Sequence, residues 1–327
     1  MAHELTLNTI TNQYEFAFTG DRAQIWHGLG QQLPEDATIE EWQVAAGMNW
    51  NVFESLISYQ TATGQEYYPG QKALFRSDNQ APLAIVGSGF KIVQPPEVLE
   101  FFRELVELHG MKINAAGTVF GGKRFWATAE CNKSFDVNGN NDEVYGQLLL
   151  ATSVDGMMST TAKFVSTRVV CNNTLTVALN EGSKQLVRKT HHTEFDAKQV
   201  KLDLGLIDKG WEQFKENITK LANFKMGEKE VREFYQDTFY DQTKSAADQG
   251  IGAIRVVNNL MDLYKFGKGA EKSIGTAWGA LNGATELFTH VKTDKRRSTE
   301  KQKWETNFGT LDKQKTTVMN KLLALAA

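Results

Sequence analysis

The chain has 327 residues, 41% of them hydrophobic, with 36 basic and 39 acidic side chains for a net charge of −3. This is the composition of a globular chain with one large domain or two ordinary ones, and it excludes a disordered chain or a uniformly cationic nucleic-acid binder. Two cysteines exclude a disulfide scaffold, so Cys131 and Cys171 read as reduced intracellular thiols. There is no apolar run of about eighteen residues and no signal-peptide pattern.

In chain order, residues 36–47 read as a short helix ended by Gly47. Residues 50–59 alternate as a strand does, and 72–76 and 83–93 follow as strands, with Gly87 and Gly89 marking a bulge or turn. Pro95 and Pro96 open a helix whose Val98, Leu99, Phe102, Leu105, Val106 and Leu108 recur at helical spacing until Gly110. Residues 111–120, 124–131, 144–154 and 163–170 read as strands, broken by Gly121-Gly122 and by residues 138–141. The short intervals favour antiparallel hairpins over crossover units. Residues 173–181 are expected as a helix and 184–191 as a strand.

From about residue 196 onward there is no proline and the apolar spacing turns helical. Helices are expected over 198–224, 228–238, 248–266, 276–291 and 307–325. The expected fold class is α+β: residues 1–195 form a core with an N-terminal antiparallel β-sheet and packing helices, and residues 196–327 a mainly α-helical region.

Catalytic motifs are missing. The sequence has no phosphate loop, no zinc-protease helix, no paired-cysteine motif and no nucleophile elbow. His191, His192 and Glu194 are metal-ligand types, but neighbours in a strand point to opposite faces, which favours a polar strand end or a phosphate contact. Cys171 reads as a buried thiol ahead of a nucleophile. Asp155-Gly156 reads as a hairpin turn ahead of a Mg²⁺ ligand. No enzyme activity, metal or cofactor is expected.

Basic residues interleave with aromatics on the strands: Lys123, Arg124, Phe125 and Trp126 after a glycine pair, then Lys163, Arg168, Arg188 and Lys189. Single-stranded nucleic acid needs cations along its backbone and flat side chains for its bases. The competing reading is ordinary, with aromatics in the core and cations reaching out. Residues 1–100 carry a net −8, residues 101–200 a net +1 and residues 201–327 a net +4. A basic groove is therefore expected from residues after about 110.

Three segments are similar to a known family. They are Trp26-His27-Gly28-Leu29-Gly30 with Gly47-Met48-Asn49-Trp50-Asn51-Val52; Ser153-Val154-Asp155-Gly156-Met157-Met158 with the run 167–175; and the run from Thr276 to His290. Together they resemble the phage/plasmid-like protein family, domain-of-unknown-function family 932. One departure is Val154, where the family usually has histidine. The resemblance implies a gene of phages, plasmids or integrated elements, and hence the cytoplasm of a bacterial host. At the level of fold it extends to the single-strand annealing proteins of the Red-beta, RecT, Erf and Rad type.

The expected function is ATP-independent binding and annealing of single-stranded DNA in recombination, by a homo-oligomeric ring or filament. Lys123, Arg124, Lys163, Arg168, Arg188 and Lys189 would contact phosphates, and Phe125 and Trp126 would stack bases. A single-strand-binding protein or an exonuclease of host or phage is an expected partner. The rival expectation is an accessory protein that binds a host protein through the acidic N-terminal third. Lys292, Lys295, Arg296 and Arg297 read either as a second DNA surface or as a solvated loop. Trp26 reads as part of a docking loop, and Asn172 and Asn173 as helix caps.

Overall fold

The computed structural model describes residues 6–20, 29–137, 139, 141–168, 173–176, 186–191, 207–291 and 309–327. The fold is α+β, with its strands in the N-terminal part and its helices concentrated in the C-terminal part. The chain divides into two compact units that alternate along the sequence. The first is Met1–Asn132, Gln147–Phe164 and Lys184–Gly205; the second is Lys133–Gly146, Val165–Ser183 and Leu206–Ala327. The second therefore draws on segments well before the change of periodicity near residue 196.

The strands of the first unit start with the small pair β1 (Leu7–Asn8) and β2 (Gln13–Tyr14). Its main sheet is built from β3 (Phe16–Phe18), β4 (Gln31–Gln32), β8 (Lys112–Val119) and β13 (Leu186–Lys189), with β9 (Arg124–Asp136) up to Asn132, β10 (Glu143–Ser153) from Gln147 and β11 (Thr160–Arg168) up to Phe164. The order is β11-β10-β9-β8-β3-β4, with β13 also on β11. β3 runs antiparallel to β8 and β8 antiparallel to β9, while β3 and β4 are parallel. Along β9, Phe125, Ala127, Ala129 and Cys131 are buried, while Arg124, Trp126, Thr128 and Glu130 are half-exposed. That is the period-2 signature of a strand covered on one face. In β10 every residue from Gln147 to Ser153 is buried, so that stretch is covered on both.

Two helices close the buried face. α1 (Ile39–Ala45) begins at a capping box: Thr38 Oγ1 accepts from the Glu41 amide at 3.2 Å and the Thr38 amide donates to Glu41 Oε2 at 2.7 Å. α2 (Pro95–His109) buries Val98, Leu99, Phe101, Phe102 and Leu105 and stops where Gly110 turns left-handed at φ 63°. The Gln94 side chain before it donates to and accepts from the backbone of Val52.

A separate three-stranded sheet holds β5 (Val52–Thr61), β6 (Gly64–Arg76) and β7 (Pro82–Gly87), in that order and antiparallel. Its root is buried through Val52, Leu74, Arg76, Leu83 and Val86, whereas no residue from 55 to 71 is buried. The strand expected over 83–93 stops at Gly87, because Phe90 donates its amide back to the Gly87 carbonyl at 3.0 Å and turns the chain toward α2. The distal half of β6 was not foreseen, since Pro69, Gly70 and polar residues hide it.

In the second unit, β12 (Asn173–Thr176) pairs antiparallel with Val165–Arg168 of β11. This corrects the helix expected from residue 173: a free strand edge is available, and Thr174 and Thr176 suit it. Asn173 accordingly lies in a strand and not at a helix cap; Asn172 lies outside the described residues.

The helices are α3 (Ile207–Asn223), α4 (Glu228–Phe239), α5 (Ile251–Phe266), α6 (Ala277–Glu286) and α7 (Thr310–Leu325). All five match expected helices; residues 198–206 of the first and 307–308 of the last lie outside the described residues, and α5 starts at Ile251 in place of residue 248. α6 continues as a π-turn over Leu287–Val291. Every residue of α6 from Ala277 to Thr285 is buried.

Candidate nucleic-acid interface

β8 and β9 meet in a tight turn, Phe120 to Lys123. Phe120, Gly121 and Gly122 all have positive φ, at 59°, 70° and 87°. Gly122 is required twice over, because a Cβ there would also lie 2.7 Å from Arg76 Nη1 and 2.9 Å from the Trp50 ring. The turn lifts Lys123 and Arg124 to one end of the sheet. Lys123 is half-exposed, and its carbonyl accepts from the Val154 amide at 2.8 Å.

Arg124 is held by Asp155 and Phe120. Its Nε donates to Asp155 Oδ2 at 3.1 Å, its Nη2 approaches the same oxygen at 3.0 Å, and its guanidinium lies 4.5 Å from the Phe120 ring centroid. Trp126, two residues on, projects from the same face of β9 and leans on Phe16 at 6.1 Å between centroids. Lys123, Arg124 and Trp126 therefore gather at one end of a half-open sheet face.

The other expected contacts divide. Phe125 points to the opposite face, is completely buried and packs edge-on against Trp50 at 6.3 Å, so its proposed stacking role is corrected to a core role. Lys163 is 2% exposed in the middle of β11, opposite Leu186, which removes it from a phosphate-contacting surface. Arg168 ends β11, and Arg188 and Lys189 lie in β13 opposite Thr161 and Thr160; the side chains of all three lie outside the described part. Trp26, His27, Cys171, His192, Glu194, Lys292, Lys295, Arg296 and Arg297 also lie outside the described residues.

His191 is buried and stacked on Phe90 at 4.3 Å. Its Nδ1 lies 3.0 Å from the Lys91 carbonyl and its Nε2 2.9 Å from the Met158 carbonyl. The Lys91 amide returns a bond to the His191 carbonyl at 2.6 Å. With both ring nitrogens engaged by main-chain oxygens, the ring is a clamp and not a ligand. Among the described residues no three His, Cys, Asp or Glu side chains come together to hold a metal.

Sequence reasoning missed a buried polar centre. Arg76 and Glu15 are 1% and 2% exposed. Arg76 Nη2 donates to Glu15 Oε1 at 2.6 Å and Nη1 to Oε2 at 3.1 Å, while Nε and Nη2 reach Asp78 at 2.9 and 2.7 Å. Glu15 also accepts from the Thr118 hydroxyl and from Asn8 Nδ2. The Arg76 guanidinium lies 4.1 Å from the Trp50 ring centroid.

Burial opposes the charge on Arg76, but hydrogen bonding and attraction from Asp78 and Glu15 outweigh it and hold its pKa above the usual value. Burial likewise pushes the Asp78 carboxyl up, and Arg76 more than reverses this. Gly47 has φ 65° and no room for a Cβ beside Glu15, and its carbonyl accepts from Trp50 Nε1 at 2.7 Å. Sixty-one residues separate Glu15 from Arg76, so no local pattern announces the pair.

The other two quoted segments also hold structure. Ser153 closes the β10–β11 hairpin through both polar groups of Met158, and Asp155 Oδ1 accepts from the Met157 amide at 3.0 Å. Gly156 turns left-handed at φ 71°, bearing out the hairpin reading, and Val154 is buried. In the last segment Thr276 caps α6 on the Gly279 amide, and Trp278 Nε1 donates to buried Asp142 at 2.9 Å. Gly279 and Gly283, one turn apart, let α6 lie against Tyr264 and Tyr235. The Tyr235 hydroxyl donates to the Ala280 carbonyl at 2.6 Å, and burial drives its pKa far up.

These features define an α+β protein whose described residues present a small basic–aromatic face at one end of its main sheet. The family model for the domain of unknown function DUF932 matches residues 82–311, and the chain belongs to that family. No curated protein and no solved structure matches the chain. Among the described residues no helix is long and apolar enough to cross a membrane.

Proposed function

We propose that the protein binds single-stranded DNA and anneals complementary strands without nucleotide hydrolysis, as an oligomer, in the cytoplasm of a bacterium carrying a mobile element. The observation that supports this reading is the shared face of Arg124 and Trp126 with Lys123 at the turn beside them. A cation two residues from a flat indole on one strand face offers a phosphate contact and a stacking surface at neighbouring positions. The face is weakly charged, because Asp155 offsets Arg124. Each site is accordingly weak, and a long groove of many copies would supply the affinity.

The test is fluorescence anisotropy of a labelled oligonucleotide with the full chain, together with duplex formation from complementary strands. Salt-sensitive binding, faster annealing, and a roughly tenfold loss in Trp126→Ala are expected, since stacking on one base contributes about 1–3 kcal/mol. Asp155→Asn keeps an oxygen for the Met157 amide and removes the carboxylate charge beside Arg124. It should tighten binding and steepen the salt dependence by about 0.7 in log–log slope. Absence of salt-sensitive binding by the unaltered chain ends the proposal.

A further inference from the structure

The tip of the β10–β11 hairpin carries an apolar side chain out into solvent. Met157 is 75% exposed, while Val154 and Thr160 on either side of the turn are buried. Turn tips are ordinarily finished with small or polar residues, as Asp155 and Gly156 are here. The main chain around Met157 is fixed on both sides. Its amide donates to Asp155 Oδ1 at 3.0 Å. The Met158 amide and carbonyl both bond the Ser153 hydroxyl, at 3.1 and 2.9 Å, and His191 Nε2 lies 2.9 Å from the same carbonyl. An exposed thioether is thus carried on a pinned support.

Two contacts set that support beside the basic–aromatic face. The Asp155 carboxylate that takes the Met157 amide through Oδ1 takes Arg124 through Oδ2. The Val154 amide donates to the Lys123 carbonyl at 2.8 Å, so the β10–β11 turn meets the β8–β9 turn. One carboxylate therefore couples the main chain of Met157 to the guanidinium that the single-strand reading assigns to phosphate.

We propose that Met157 is a wedge that enters between two neighbouring bases of a bound single strand while Lys123 and Arg124 take the phosphates beside it. The inference rests on that reading of the face and states what the site does to the strand. The occupant follows from chemistry. Apolar side chains, methionine among them, insert between base steps and unstack them. An unbranched thioether adapts to a narrow gap and is attracted to aromatic rings. The neighbouring cations hold the backbone that carries those bases. Trp126 and Met157 then do opposite things: the indole stacks on a base, and the thioether breaks a stack. Parted bases keep their pairing edges free, which a second strand needs when it tests its register.

The experiment places 2-aminopurine, whose fluorescence is quenched by stacking, inside an oligoadenylate that is also followed by anisotropy. Binding and unstacking are then read on one complex with the full chain. The unaltered chain is expected to bind and to raise the 2-aminopurine signal roughly twofold or more. Met157→Gln keeps the side-chain length and every main-chain bond but removes the apolar surface. It should lose most of that rise and weaken binding roughly tenfold. Met157→Leu, which stays apolar, should restore both. Binding by the unaltered chain with no rise in signal overturns the wedge and leaves the single-strand reading standing. A Met157→Gln variant with the parent's signal overturns it, as does a Met157→Leu variant no better than Met157→Gln. An unaltered chain that gives no change in anisotropy ends the wedge and the single-strand reading together.

Discussion

Arg76→Met is the perturbation that most directly probes the buried polar centre. The variant keeps an unbranched apolar side chain of similar reach but deletes four hydrogen bonds, two to Glu15 and two to Asp78. Asp78 is partly exposed and regains water, whereas Glu15 does not. Glu15 is left as a buried carboxylate with Thr118 and Asn8 as its named side-chain donors. Breaking one side of a buried pair costs about 3–5 kcal/mol, and the lost contact with Trp50 adds about 1 kcal/mol.

In a unit of this size that cost lowers the thermal midpoint by about 10 °C. Adding Glu15→Gln removes the stranded charge while keeping a group that Thr118 and Asn8 can bond, so about half of the loss should return. Urea unfolding followed by tryptophan fluorescence measures all three variants. A loss under about 1 kcal/mol in Arg76→Met, or a double variant no more stable than the single one, would refute the view that the pair is a desolvated charge centre.

Gly283→Ala puts a Cβ 3.0 Å from the Tyr264 nitrogen and 3.1 Å from the Tyr235 hydroxyl. Overpacking should cost about 1–3 kcal/mol in a melt followed by circular dichroism, whereas a gain, as alanine gives in a helix with free space, would show that α6 and α5 are not in close contact. Tyr235 and Tyr264 both have pKa values raised by burial. Their contribution is fully present below the ordinary phenol value of 10.0 and is lost as pH rises above it. Tyr235→Phe should flatten the fall in stability above about pH 10, and an unchanged alkaline limb in chemical denaturation would contradict the assignment.

What the sequence made legible was local. Five C-terminal helices and most central strands follow from spacing alone, because each element's apolar period is set within its own residues. The β10–β11 hairpin could be read from Asp155-Gly156 because a turn is a short-range device. The roles of Phe125 and Lys163 could not be, since a basic–aromatic run reads alike whichever face turns inward, and only sheet pairing decides. The Glu15–Arg76 centre joins distant residues, and its glycines at 47 and 122 look like turn residues until the side chains beside them are placed. The distal half of β6 eluded the reading because Pro69, Gly70 and its polar residues break the alternation that marks a strand.

The interleaving of the two units bears on how the chain reaches its fold. The first unit is incomplete until residues near His191 have been made, because that ring ties the carbonyl of Lys91, 100 residues earlier, to that of Met158. The second needs Asp142, which waits for Trp278, 136 residues later. A ribosome must release most of the polypeptide before either unit can close, and such long loops slow folding. During that interval the nascent chain holds its tyrosine-rich hairpin and unpaired strands in the open, where chaperone access or a neighbouring chain decides between assembly and aggregation.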